Sequence, residues 1–252
     1  MVHVKTATAL PTSYKEKIIV ALDVPTSAEA LSIVNELKNE VGAFKVGLQL
    51  FTSAGPDFVR KLVETGARVF LDLKFHDIPN TVAKASVEAA RLGVWMFNVH
   101  ASGGSEMMKA ASQEVSELCE KEGLDRPLII AVTVLTSSND DMLKEVGITN
   151  ETQPQVLRLA ELTSKCGLDG VVASPLEIGS IRAQIASKEF VIVTPGIRPS
   201  SATQDDQKRV MTPGEAVSVG ADILVIGRPI TAAADRIKAV EKIISEMEQG
   251  NA

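Results

Sequence analysis

Residues 18–38 read Ile18-Ile19-Val20-Ala21-Leu22-Asp23-Val24-Pro25-Thr26-Ser27-Ala28-Glu29-Ala30-Leu31-Ser32-Ile33-Val34-Asn35-Glu36-Leu37-Lys38. The β-branched run at 18–24 predicts a buried strand. Pro25-Thr26-Ser27 supplies a turn and a helix cap, and an amphipathic stretch continues to about Lys38, which makes one β-α unit. The alternation repeats downstream: 43–47 precedes a helix from about Thr52, 68–73 a helix after Pro79, and 94–99 a helix after Gly104. The second half adds strands at 128–135, 170–173, 190–193 and 223–226. About eight such units are the number for a closed (β/α)8 TIM barrel, with an open doubly wound α/β sheet as the alternative that periodicity does not separate.

The chain has 252 residues, within the range of a single α/β barrel, and no flexible low-complexity stretch divides it. Residues 1–17 read as a lead-in and 18–252 as one catalytic domain. At 45% hydrophobic and 23% charged, the composition supports a sizeable core and excludes disorder. The net charge of −6 argues against a broad nucleic-acid or anionic-membrane surface. Cys119 and Cys166 form neither a metal motif nor a disulfide framework, so a reducing compartment, the cytoplasm, is expected. The amino-terminal residues carry no signal-peptide core, and no run approaches a membrane span.

Polar residues collect where these strands end: Asp23, Lys45, Asp72, Lys74, His100, Thr136, Arg198 and Arg228. In a (β/α) barrel that end is the active-site mouth. The densest group is Asp72-Leu73-Lys74-Phe75-His76-Asp77-Ile78-Pro79-Asn80-Thr81. Asp72 and Lys74, two apart on a strand, project together, and the turn before Pro79 brings Asp77 close. An isolated Asp-x-Lys is usually a structural ion pair. With Lys45 on the neighbouring strand, four charges converge, a costly arrangement unless they satisfy each other or act on a substrate. Pro195-Gly196-Ile197-Arg198, Gln207 and Ile226-Gly227-Arg228-Pro229 fall in the loops after the seventh and eighth strands, where phosphate sites form; the longest irregular segment, 195–212, is there. His3, His76 and His100 lack metal-ligand spacing, so no metal is expected; His76 is expected to hydrogen-bond the acidic turn and His100 to support the mouth. Neither a Rossmann fingerprint nor a Walker motif is present.

The 72–81 run resembles the signature of the orotidine 5′-phosphate decarboxylases of bacterial type. The similarity extends through Ala21-Leu22-Asp23, Lys45-Val46-Gly47, Asn98-Val99-His100-Ala101, Leu135-Thr136-Ser137, Pro195-Gly196-Ile197-Arg198, Asp206-Gln207-Lys208-Arg209 and Ile226-Gly227-Arg228-Pro229. The resemblance implies a homodimeric barrel that converts orotidine 5′-monophosphate to UMP and CO2, the last step of de novo pyrimidine synthesis, without cofactor or metal. It implies Lys74 as proton donor to C6, with Lys45, Asp72 and Asp77 completing the charged array. Asp23 and Lys45 would hold the ribose, Thr136 and Ser137 the base, and Gln207, Gly227, Arg228 and Arg198 the phosphate. Asp77 and Thr81 would reach the partner subunit's site, and Ile78 and Pro195 would contact the substrate. Related barrels share the Asp-x-Lys-x-x-Asp pattern, notably magnesium-dependent phosphosugar decarboxylases and synthases; a catalytically silent phosphosugar-binding barrel is the non-enzyme alternative.

Overall fold

The computed structural model describes residues 10–200 and 210–250. Its elements run β1 (Ile18–Ala21), α1 (Ser27–Leu37), β2 (Ala43–Gly47), α2 (Leu48–Glu64), β3 (Val69–Phe75), α3 (Pro79–Arg91), β4 (Met96–His100), α4 (Gly104–Glu122) and β5 (Leu128–Val132). There follow α5 (Asp140–Glu145), α6 (Thr152–Lys165), β6 (Gly170–Val172), α7 (Ile178–Gln184), β7 (Val191–Thr194), α8 (Pro213–Ser218), β8 (Ile223–Ile226), α9 (Arg228–Thr231) and α10 (Arg236–Gln249). Each strand pairs in parallel with the next and β8 pairs with β1, so the sheet closes. Closure removes the open-sheet alternative. The first helix starts as its sequence suggests, with the Thr26 hydroxyl accepting from the Glu29 N–H. α2 begins earlier than expected, at Leu48, and breaks at Gly55 (φ 72°) just before Pro56, whose ring cannot follow a regular turn. β5 stops at Val132 although the apolar run continues to Leu135.

The strands are apolar on successive positions because both of their faces are covered. Ile19, Ala21, Ala43, Phe70, Met96, Ile130, Val193 and Val225 form the barrel's inner cluster, while Ile18, Val20, Phe44, Val46, Val69, Leu71 and Phe97 pack outward under the helices. The period of two carries the inward face toward the carboxyl ends. Asp23 lies two residues past Ala21, Lys45 two past Ala43, Asp72 two past Phe70, Asn98 two past Met96, Pro195 two past Val193 and Gly227 two past Val225. On β1 to β4 polar residues thus replace apolar ones on the inward rows as the rows reach the mouth, and on β7 and β8 Pro195 and Gly227 take that place.

The opposite rim is closed by one device used twice. Asp169, just before β6, accepts from the Ile129 N–H of β5 at 2.6 Å and from Arg126 at 2.9 Å. Asp222, just before β8, accepts from the Ile192 N–H of β7 at 2.7 Å and pairs with Arg182. Burial pushes the Asp222 carboxyl up from its ordinary range, and the Ile192 amide and Arg182 draw it back. Asp222→Ala strands both partners, so it should cost about 2–3 kcal/mol, or about 5–10 °C in Tm, with kcat unchanged. Calorimetric melting that agrees with wild type to about 1 °C would refute that role.

Candidate active site

Three strands supply a chain of alternating charge at the mouth. Lys45 Nζ lies 3.0 Å from Asp23 Oδ1 and 3.5 Å from Asp72 Oδ2, and Lys74 Nζ lies 2.7 Å from Asp72 Oδ1. The Asp72 and Lys45 side chains are only 13% and 11% exposed, so each of these charges depends on the others in place of water. The Asp23 carboxylate is 63% exposed and faces solvent at the open end. Within one chain the fourth member of the array is therefore Asp23, where the sequence pattern pointed to Asp77. Asp77 is exposed and accepts from the neighbouring Ile78 N–H at 2.6 Å; among the described residues it forms no ion pair. It lies two residues past the end of β3.

Lys74 occupies an unusual piece of backbone. Leu71 pairs with Phe97 and Phe75 with Val99, so β3 takes four steps where β4 takes two. The extra length bulges, and at Lys74 the backbone is left-handed (φ 54°), a conformation that costs a residue bearing a Cβ about 1–2 kcal/mol. The displaced Lys74 N–H is met by the side-chain carbonyl of Asn98 at 2.8 Å, and the Asn98 amide donates to Asp72 Oδ1 at 2.7 Å.

Gly47 makes room for the second ammonium. A methyl group at this position would lie 2.9 Å from Lys45 Nζ and 3.7 Å from Asp23 Oδ1. Its backbone (φ −95°, ψ −178°) suits any residue, so space is the requirement here. Gly47→Ala should push the ammonium aside and lower kcat/KM about 10- to 100-fold, with little change in Tm. A kcat/KM within about twofold of wild type would show that Lys45 needs no fixed seat.

A cavity of about 180 Å³ opens beside the array, floored by Phe70, Val132, Val172 and Val225 and walled by Lys45, Asp72, Lys74, Leu135, Thr136 and Pro195. It is apolar below and charged on one side, the usual division of a small-molecule pocket between apolar lining and a few placed polar groups. Ser137 follows Thr136 but is exposed outside the wall. A Cβ on Gly227 would lie 3.9 Å from Asp23 Oδ2, which puts the start of the β8 loop next to the open end of the array. Arg228 is exposed just beyond it. At the neck of the 195–212 segment, Ile197 bridges Met211 and the Arg198 N–H donates to the Met211 carbonyl at 3.0 Å. Gln207 lies outside the described residues, as does His3.

The histidines differ from expectation in one respect. The His76 ring stacks toward His100, centroids 5.4 Å apart, and among the described residues it makes no hydrogen bond to the acidic turn. Burial, then the charges of His76 and Lys74, push the His100 imidazole below its ordinary range, with Asp72 opposing. Among the described residues no three His, Cys, Asp or Glu side chains gather to hold a metal ion.

The family model of the orotidine 5′-phosphate decarboxylase / HUMPS family matches residues 16–243. This chain belongs to that family. Its relatives include an orotidine 5′-phosphate decarboxylase of Syntrophotalea carbinolica, 54% identical over 92% of this chain and 95% of the relative. Another, from Trichlorobacter lovleyi, is 56% identical over 94% and 97% of the two chains. Among solved structures, the orotidine 5′-phosphate decarboxylase of Lactobacillus acidophilus superposes with a TM-score of 0.80 at 39% identity, covering 91% of this chain and 98% of that one. Family membership and the barrel expected from the alternating units therefore agree.

Of the residues expected at the site of this family member, the fold brings Asp23, Lys45, Asp72 and Lys74 into one array and sets Thr136 and Pro195 on the cavity wall. Asp77, Ile78 and Thr81 remain on an exposed stretch, Ile78 being 67% exposed. Two participants were not assigned from sequence, Asn98 and Gly47. The signal for Asn98 was present: a polar residue on the inward row of an otherwise apolar strand.

Proposed function

We propose that this chain removes CO2 from orotidine 5′-monophosphate to give UMP, with Lys74 delivering the proton that replaces the carboxylate at C6. The observation that carries this reading is the sharing of Asp72 between two ammonium groups on the wall of one cavity, Lys74 on Oδ1 and Lys45 on Oδ2. When the C6–carboxylate bond breaks, its electron pair stays on C6. A fixed ammonium there stabilises the developing carbanion, then protonates it, so the nitrogen leaves as a neutral amine and C6 gains hydrogen. Asp72 holds the ammonium in position and lies beside the departing carboxylate. The same ammonium supplies the charge that a metal ion would supply in the magnesium-dependent relatives, and decarboxylation at C6 then proceeds without a cofactor.

In this reading Asp23 and Lys45 hold the ribose, Thr136 and Ser137 the base against Pro195, and Gly227, Arg228, Arg198 and Gln207 the phosphate. The adjacency of Gly227 to Asp23 supports a phosphate one ribose away from the array. Phosphate binding then contributes to catalysis by holding the ring against Lys74. Residues 18–252 act as one catalytic domain in a homodimer, and Asp77, Ile78 and Thr81 serve the partner's site; their exposure, and the separation of Asp77 from its own Lys74, support this. The partners are the nucleotide and a second copy of the chain. Among the described residues no helix is long and apolar enough to cross a membrane, and the two buried thiols suit the reducing cytoplasm. The test is the absorbance change of orotidine 5′-monophosphate with purified protein, with and without a chelator. Turnover insensitive to chelation is expected; turnover of a phosphosugar acid lost on chelation would favour the magnesium-dependent relatives instead.

A further inference from the structure

We infer that Asn98 is a positioning residue that holds Lys74 and Asp72 in their working geometry through one side chain. The inference rests on Lys74 being the proton donor, as proposed above. Asn98 is 1% exposed in the middle of β4, on the inward row between Met96 and His100, where an apolar residue would suit the core better. Both ends of its amide are used at short range. The carbonyl accepts the Lys74 N–H at 2.8 Å, and the NH2 donates to Asp72 Oδ1 at 2.7 Å, the same oxygen that Lys74 Nζ approaches at 2.7 Å.

These contacts meet two requirements that β3 cannot meet itself. At the bulge between Leu71 and Phe75 the regular register with β4 is lost, so the Lys74 N–H needs a partner from outside the ladder. Lys74 is also, among the described residues, the non-glycine with positive φ, and such a conformation persists only where surrounding contacts over-determine it. The Asn98 carbonyl does so from the neighbouring strand. Its amide hydrogen meanwhile fixes the carboxylate that orients the ammonium. One amide therefore couples the backbone and the side-chain partner of the same lysine. It is absent from the cavity wall, so substrate affinity should be largely independent of it.

Asn98→Ala and the isosteric Asn98→Asp test this. Losing both hydrogen bonds leaves a buried N–H without a partner and loosens the Lys74–Asp72 pair, and kcat should fall about 10- to 100-fold while KM and UMP affinity change by less than about threefold. The carboxyl group introduced by Asn98→Asp reproduces the donor to Asp72 only when protonated, because two adjacent carboxylates otherwise repel. The ratio of Asn98→Asp to wild-type kcat should therefore rise as pH falls from about 8 to about 6. A merely structural role would give a ratio independent of pH, and that result overturns the inference, as does a folded Asn98→Ala protein with kcat within about threefold of wild type. If Asn98→Ala does not fold, the pH ratio of the aspartate variant decides. Hydrogen exchange at the Lys74 amide gives a readout without turnover: protection is expected in wild type and its loss in Asn98→Ala, with Ile19 and Ile130 still protected. If wild type shows that protection but no decarboxylation, the functional reading fails and the positioning contact stands; a Lys74 amide that exchanges equally in both proteins removes the contact itself.

Discussion

Lys74→Ala is expected to lose at least about 10⁴-fold in kcat while folding as wild type does. General acid catalysis is worth about 10²- to 10⁴-fold and a preorganised charge at the developing anion about 10²- to 10³-fold, and Lys74 supplies both. The fold should tolerate the change. Asp72 keeps Lys45 at 3.5 Å and the Asn98 amide at 2.7 Å, so its buried carboxylate is not abandoned. Alanine bears the same left-handed strain at this position as lysine does, so no new backbone cost arises. Absorbance assays at high enzyme concentration, alongside thermal melting, make the measurement. Near-normal turnover by a folded Lys74→Ala protein would sink the assignment of the proton donor.

Subunit exchange is the second large effect. Asp77 is exposed and separated from the array in its own chain, so the proposed dimer should complete each site across its two-fold axis. Lys74→Ala and Asp77→Ala homodimers should each be nearly inactive. In a mixed dimer one site carries both defects, and the other combines an intact Lys74 with an intact Asp77 from the partner. Mixing should therefore restore activity to about half the wild-type value per mixed dimer, since one of two symmetric sites is whole. Native mass spectrometry reports the exchange. Mixed dimers that form yet stay inactive would mean that Asp77 acts within its own subunit.

Much of this protein is legible one segment at a time. The run at 18–38 specifies a strand, a capped turn and a helix through local rules, and repetition of that unit leads to the barrel. Asp72, Lys74 and Lys45 stand out because charges at the ends of apolar strands need partners or a substrate. The His76 expectation did not hold, because the contact that His76 makes is with His100 on a different strand. The boundary of α2 was likewise missed: Leu48 and Leu50 belong to its first turn, and the Gly55–Pro56 break obscures the helical period.

What the sequence by itself determined is the parity of the strands and the placement of polar residues where they end, because a period of two is a property of each strand alone. That suffices to put Asp23, Lys45, Asp72 and Lys74 at one mouth. Only the tertiary structure decided which charges meet. Register between neighbouring strands depends on how the whole sheet closes, and it brought Asp23 to Lys45 while leaving Asp77 outside the array. The bulge in β3 exists only relative to β4, so neither the left-handed turn at Lys74 nor its support by Asn98 can be read from either strand alone.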